Sequence, residues 1–316
     1  MSPFKSSAGR SLGKLIEGFK SSTIGQGLGS GSGSGSISAT GGIISTVSQN
    51  GVNTYIHKFT RSNSPENFVV TGGSLTVEIL CIGGGGGCGY DTGGGGGGGG
   101  LVHFSSLEMK EGSYSFVVGG GGPSSGSGGV LGDPGGDSTI VVPNPSNNTV
   151  TVTAAGGGGG GTWPSPGNGR PGGSGGGGGQ STNAPGGTAT QPGLNSSINF
   201  GGFSQYGNNG GNSAPSYHGT GGGGGAGGVG TPGTTGQNVA GGVGRGYTIS
   251  GTNYTYAHGG YGNSDGGSIR PAVQYYDGSP KNADPSGSGN GANGSGVGST
   301  YPAGDVGIIY VKYLAL

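Results

Sequence analysis

The sequence predicts an all-β protein: an antiparallel β-sandwich combined with a lattice of polyglycine II helices, preceded by a short N-terminal helix. Three observations carry that prediction. Short β-branched and aromatic segments, bounded by turn residues, recur between residues 43 and 154. Glycine supplies 92 of the 316 residues and gathers in runs, among them 83–87, 93–100, 156–161, 172–179 and 221–228. The stretches between the later runs are not bare spacer, since eleven of the fourteen tyrosines lie beyond residue 200.

Residues 1–27 read as a segment of their own. Leu12, Leu15, Ile16 and Phe19 follow the i, i+3, i+4, i+7 spacing of an amphipathic helix, and Lys5, Arg10, Lys14 and Lys20 outnumber Glu17. A helix this short is marginal in water alone, so its apolar stripe is expected to dock on its own copies, another protein or a membrane surface. Residues 28–42 contain LGSGSGSGS, a flexible-linker composition. The β-sandwich is expected over 43–154, from TYIHKF (54–59), NFVVTGG (67–73), SLTVEILCI (74–82), LVHFSSL (101–107), SYSFVV (113–118), STIVV (138–142) and NTVTVTA (148–154). In SLTVEILCI the alternation puts Leu75, Val77, Ile79 and Cys81 on one face. Residues 155–304 are expected to form the lattice with Tyr- and Asn-rich loops. DVGIIYVKYLAL (305–316) is expected to return as the strand that closes the sheet.

Two readings compete for the glycine runs. Leu, Ile, Val and Phe make up about 17% of the chain, a poverty that leans toward disorder when net charge is high. Here the 12 basic and 12 acidic side chains cancel. A threefold extended helix makes no internal hydrogen bonds, so each N–H and C=O points outward and, once buried, must find a partner. Without side chains, parallel and antiparallel rods can lie side by side and bond laterally; eight residues span ~25 Å. Runs of similar length joined by aromatic, turn-rich loops fit a lattice better than a tether.

Little in the chain points to chemistry. With 92 glycines, G-x-G-x-x-G matches carry no information, and no G-x-x-x-x-G-K-[ST] phosphate loop occurs. His57, His103, His218 and His258 are scattered, and Cys81 and Cys88 form neither a disulfide framework nor a zinc pattern. Asp265, Asp277 and Asp284 share one loop region, where acidic side chains ordinarily cap turns. The expectation is a protein with no catalytic residues, cofactor or metal, no nucleic-acid partner given its balanced charge, and no membrane insertion.

Recognition is the better expectation. Segments 195–218 and 245–285 mix Tyr, Asn, Ser and Gly with arginine, as binding loops do. The candidate contact residues are Trp163, Tyr206, Tyr217, Tyr254, Tyr256, Tyr261, Arg270, Tyr275 and Tyr276. The alternative is that these aromatics cap the lattice or fill a subunit interface.

The ordered pieces NTYIHKFT, FVVTGGSLTVEILCIGGGGG, GGGGGGLVHF, SYSFVVGGGG, VTAAGGGGGG and GDVGIIYVKY resemble the glycine-rich domains of phage virion and tail-fibre proteins. More loosely, the chain is similar to the polyglycine-helix tail-tip adhesins of T-even-like phages. The resemblance implies a place on the virion, in a tail fibre or on the capsid. It implies attachment to other virion proteins through Leu12, Leu15, Ile16 and Phe19, and loops offered to a host-surface glycan or protein. Fibre proteins of this kind are often homo-oligomers, with a trimer favoured. A purely structural virion protein, a decoration or minor tail or capsid component, is the other function it implies.

Overall fold

The computed structural model describes residues 36–49, 52–60, 63–144, 148–164, 167–195, 198, 201–216, 218–264, 288–294 and 302–315. The N-terminal stripe of Leu12, Leu15, Ile16 and Phe19 lies outside the described residues, as do Tyr217, Arg270, Tyr275 and Tyr276.

Among the described residues, thirteen strands and one short helix follow in chain order: β1 (Ser38–Thr40), β2 (Ile43–Gln49), β3 (Val52–Phe59), β4 (Pro65–Thr71), β5 (Leu75–Ile82), β6 (Leu101–Met109), β7 (Gly112–Val117), β8 (Ser138–Pro143), β9 (Thr149–Ala154), α1 (Gln191–Leu194), β10 (Phe203–Tyr206), β11 (Arg245–Tyr247), β12 (Tyr254–Tyr256) and β13 (Ile308–Leu314). One sheet runs β1-β4-β7-β8-β9 and the other β10-β6-β5-β13-β3-β2, with β11-β12 as a separate ribbon. Their strand pairings are antiparallel. The closing strand therefore completes the larger sheet as the sequence implies, seated between β3 and β5.

Period-two alternation builds the sandwich core. Leu75, Val77, Ile79 and Cys81 of β5 pack with Phe59, Phe68, Phe104, Phe116, Ile140, Val152 and Ile309 from both sheets. Each fully buried side chain of this size contributes about 1.5–3 kcal/mol. The opposite face of the larger sheet is also covered: Leu80, Ile82, Leu101, Ile308 and Tyr310 pack against Ile249, Tyr256 and Ala257. Gly41 and Gly42 make the tight step from β1 to β2 with φ of +117° and +60°, a backbone that side chains rarely adopt.

The glycine runs form a lateral lattice with a three-residue period. In the rod 83–89, the N–H groups of Gly83, Gly86 and Gly89 donate to the carbonyls of Gly100, Gly97 and Gly94 at 3.0, 2.9 and 3.3 Å. Gly84 and Gly87 donate to Gly136 and Asp133, and Gly85 to Asp305. The carbonyls of the same residues receive other rods: Gly84 and Gly87 from Gly157 and Gly160, Gly85 and Cys88 from Gly122 and Ser125, and Gly86 from Ala292. The rod is thus ringed by 93–100, 132–136, 305, 157–160, 122–125 and 292. Residues 93–100, 174–179 and 221–226 are ringed in the same way. Three residues per turn put donors on three sides and acceptors on the three between, which is why the packing is sixfold. None of the glycines in 83–87, 93–100, 156–161, 172–179 or 221–228 has a left-handed φ, so these rods share one hand.

The lattice extends beyond the 155–304 span expected from sequence, because 83–100 and 119–136 also supply rods. Conversely, β10 leaves that span to pair with β6, and β1 begins inside the expected linker.

Where the lattice ends, asparagine stands in for a missing rod. Asn290 and Asn293, three residues apart, accept from the N–H groups of His258 and Tyr261 at 2.9 and 3.0 Å. Asn209 and Asn212 do the same for Ala189 and Gly186 at 2.7 and 3.0 Å. Exposed prolines occupy the rim, including Pro123, Pro134, Pro171, Pro185 and Pro232. Proline suits the φ of an extended rod and offers no N–H to a further neighbour.

Candidate binding surface

The bonding pattern fixes which way each rod runs. Rods 83–89, 119–125, 156–161, 174–179, 207–213, 228–233 and 257–263 leave the sandwich, and 93–100, 131–136, 167–173, 184–190, 220–226 and 238–244 return. The turns after the outgoing rods therefore gather at one end. Ser38 pairs with Thr71, at the end of β4 away from Pro65 and Val117, which adjoin the rods. The chain thus enters the head at the end opposite the gathered turns.

The described turns at that far end bond to one another. Thr92 Oγ1 donates to Gln180 Oε1, and the Gln180 amide nitrogen meets His218 Nδ1 at 3.1 Å. Thr162 Oγ1 donates to the Tyr90 carbonyl at 3.1 Å, and Gly129 N–H to the Trp163 carbonyl at 3.3 Å. Tyr90, Gly128–Gly129 and Trp163–Pro164 thereby form one local surface, with Trp163 40% exposed. Asp91, Thr92, Asn183 and His218 all carry positive φ, from 42° to 80°. For a β-branched Thr this is an uncommon backbone, and it is held by the lattice beneath.

Trp163 is the one described candidate that this end presents. Tyr206 and Tyr254 lie at the sandwich end, half-buried beside the larger sheet, and Tyr256 is fully buried there against Tyr310, centroids 6.4 Å apart. Tyr261 is buried within the lattice, its N–H on Asn293. The expectation of surface contact is therefore corrected for Tyr256 and Tyr261: their rings fill interior space, and neither can touch a ligand in this fold. Nor do these two cap the lattice or fill a subunit interface, the alternative reading: both rings are buried within the fold.

The sandwich end has its own polar cluster. The Arg245 guanidinium lies 3.4 Å from the Tyr206 ring centroid, a cation–π contact. Tyr247 packs on His103 at 4.8 Å, and Glu78 bonds both His103, 3.1 Å, and Lys312, 2.9 Å. Burial, reinforced by Tyr206 and Glu78 and opposed by Arg245, pushes the Tyr247 hydroxyl up to about 12. Burial also disfavours a charged Glu78, but the bonds from His103 and Lys312 outweigh it and hold the carboxyl below its ordinary value. Beside them a cleft of about 470 Å³ is lined by Thr54, Thr76, Glu78, Ser105, Lys312 and Leu314, among others.

Among the described residues, no group of His, Cys, Asp and Glu is placed to hold a metal ion, and no helix is long and apolar enough to cross a membrane. Burial raises the Cys81 thiol, as befits a packed rather than reactive group. Sequence reasoning missed Tyr90, Thr92 and Gln180, and reached His218 only as the end of segment 195–218. The signal available was position: CGYDT and QSTNAP interrupt glycine runs as TWPSPG does.

The fold is thus an antiparallel sandwich that carries a hydrogen-bonded glycine lattice, with turns collected at its far end. A family model described as a glycine-rich domain matches residues 60–314, and the chain belongs to that family. Comparison with curated proteins finds no match.

Proposed function

We propose that the chain is a phage virion attachment protein, fixed to the particle by its N-terminal segment and presenting the lattice turns to a host-cell receptor. The observation that carries the reading is polarity: chain entry at one end of the head, and turns from successive outgoing rods at the other. A lattice of main-chain bonds gives those turns a stiff base, which lowers the entropy lost on binding. Tyr90 and Trp163 supply apolar faces, and Asp91, Ser127 and His218 supply polar groups, a mixture suited to a surface glycan or a protein loop. Residues 1–27 would dock on other virion proteins through Leu12, Leu15, Ile16 and Phe19, and a homotrimer follows from the resemblance to fibre proteins.

A purely structural virion role is the second reading, and the interior placement of Tyr256 and Tyr261 favours it. One experiment separates the two. The purified full chain, added in excess to host cells, should bind them and block infection, and Trp163→Ala should weaken both effects while leaving the melting temperature unchanged. Absence of binding by the wild-type chain would overturn the attachment reading and leave the structural one.

A further inference from the structure

The edges of this head are treated unequally. On one side of the sandwich, α1 closes the edges of β9 and β10. Asn195 Oδ1 accepts from Thr153 N–H at 3.2 Å, its Nδ2 donates to the Thr153 carbonyl at 2.8 Å, and Gln191 and Asn195 both donate to Gln205 Oε1. Proline occupies the lattice rim. On the other side, β2 ends the larger sheet as a seven-residue strand, IISTVSQ, without charge or proline. Ile43 is 60% exposed and Ile44 48%, with Val52 of the adjoining β3 at 49%. Native edge strands are usually blunted by charge, proline, shortness or a cover; among the described residues β2 has none of these.

We propose that β2 pairs with β2 of a second copy of this chain, antiparallel about Thr46, joining the two larger sheets into one. The register with β3, in which Gln49 meets Val52, alternates inward and outward backbone groups. It turns the N–H and C=O groups of Ile44, Thr46 and Ser48 toward the open side. Thr46 is the midpoint of the strand, so a two-fold axis there overlaps all seven residues and sets Ile44 against Ser48 of the other copy. An uncharged strand meets itself without repulsion, and every copy brings the same exposed isoleucines to the junction. Such an isologous contact closes at two copies, so it is independent of the attachment reading and distinct from the trimer implied by resemblance.

Charge exchange at Thr46 tests this on the full chain. Wild type should sediment as a dimer. Thr46→Lys and Thr46→Glu each place like charges directly opposite and should weaken self-association about fivefold or more. An equimolar mixture of the two variants should restore the dimer. All three should keep the same far-UV circular dichroism spectrum, since Thr46 is exposed, while the two dissociated variants should melt below the wild-type dimer, which association stabilises. Thr46→Cys should also cross-link two copies under mild oxidation. Ser48→Cys should not, its two sulfur-bearing residues lying ~13 Å apart along the strands. Cys81 and Cys88 are buried and do not compete. A monomeric wild type, or an assembly that survives both charge variants, overturns the proposal.

Discussion

Replacing Gly96 by alanine would test whether the rods form a true interior. A Cβ there would overlap the Gly86 carbonyl oxygen, lie 2.7 Å from its carbon and reach within 2.9 Å of Ala292 N. Favourable carbon contacts begin near 3.5 Å, so the rods must part by roughly an ångström. Three bonds cross that spot: Gly96 N–H to Ala292 O at 2.8 Å, Ala292 N–H to Gly86 O at 2.9 Å and Gly86 N–H to Gly97 O at 2.9 Å. A buried amide left without its partner costs about 1–3 kcal/mol, and losing two such bonds gives about 3–5 kcal/mol. The reduced chain entropy of alanine offsets about 0.4–1 kcal/mol. The net loss, about 2–4 kcal/mol, corresponds to a fall of about 3–7 °C in melting temperature for a domain of this size. Gly126 is the internal control: it lies outside the rods, in the turn after 119–125, and an added Cβ there meets nothing within 4 Å. Thermal melts followed by circular dichroism should place Gly126→Ala within about 1–2 °C of wild type. Equal melting temperatures for the two variants would refute the lattice as a close-packed core.

Three further outcomes follow from the same geometry. Amide hydrogen exchange should be as slow in 94–100, 157–158, 160–161 and 174–178 as in β5, because those N–H groups are bonded and buried; exchange at unfolded-peptide rates would contradict it. Asn293→Ala should cost about 1–3 kcal/mol by orphaning the buried Tyr261 N–H, while Asn209→Ala, at an exposed position, should cost under about 1 kcal/mol in the same urea titration. Burial lowers the pKa of His57 below its ordinary 6.5, despite its bond to the Gly41 carbonyl. The unfolded chain then binds the proton more readily, so stability should fall as pH drops below about 6.5, and His57→Gln should flatten that slope. The Glu78 contribution, held below the ordinary carboxylate range, should be lost only at lower pH, below about 4.5.

The sandwich was legible because its strands obey a two-residue period against a hydrophobic core. SLTVEILCI gives its inward set, Leu75 to Cys81, by alternation alone. β10 was not legible: all of Phe203–Tyr206 is half-buried, and the segment is a strand only because it lies along β6. The rods were legible where glycine is continuous, as in 93–100, and hidden where the lattice rim substitutes Asn, Pro or Val, as in 184–190 and 238–244. That concealment explains the tyrosines. A chain that leaves and returns puts alternate loops at opposite ends, so the end on which a loop falls depends on how many rods precede it. With 238–244 unrecognised as a returning rod, Tyr254 and Tyr256 read as display residues, whereas the return delivers them to the sheet. The spacing of Asn290 from Asn293 and of Asn209 from Asn212 was the available sign, since a pair three apart marks one side of a threefold helix.

The two halves of the head are specified by different physics, and this separates what can vary from what cannot. The sandwich is selected by side chains, and a change of volume in Phe68 or Ile79 is felt throughout its core. The lattice is selected by their absence: the conditions at Gly86, Gly96 or Gly177 are that nothing be added and that the main chain keep its partners. A loop joining two such rods is attached at both ends to main-chain atoms whose positions do not depend on the loop's own residues. Its sequence is then free to change without disturbing the interior, as long as the rods at either side retain glycine. A hydrophobic core offers less of this freedom, because loops there share packing with the residues beneath. The costly glycines are thus what allow the far turns to diversify on a constant frame.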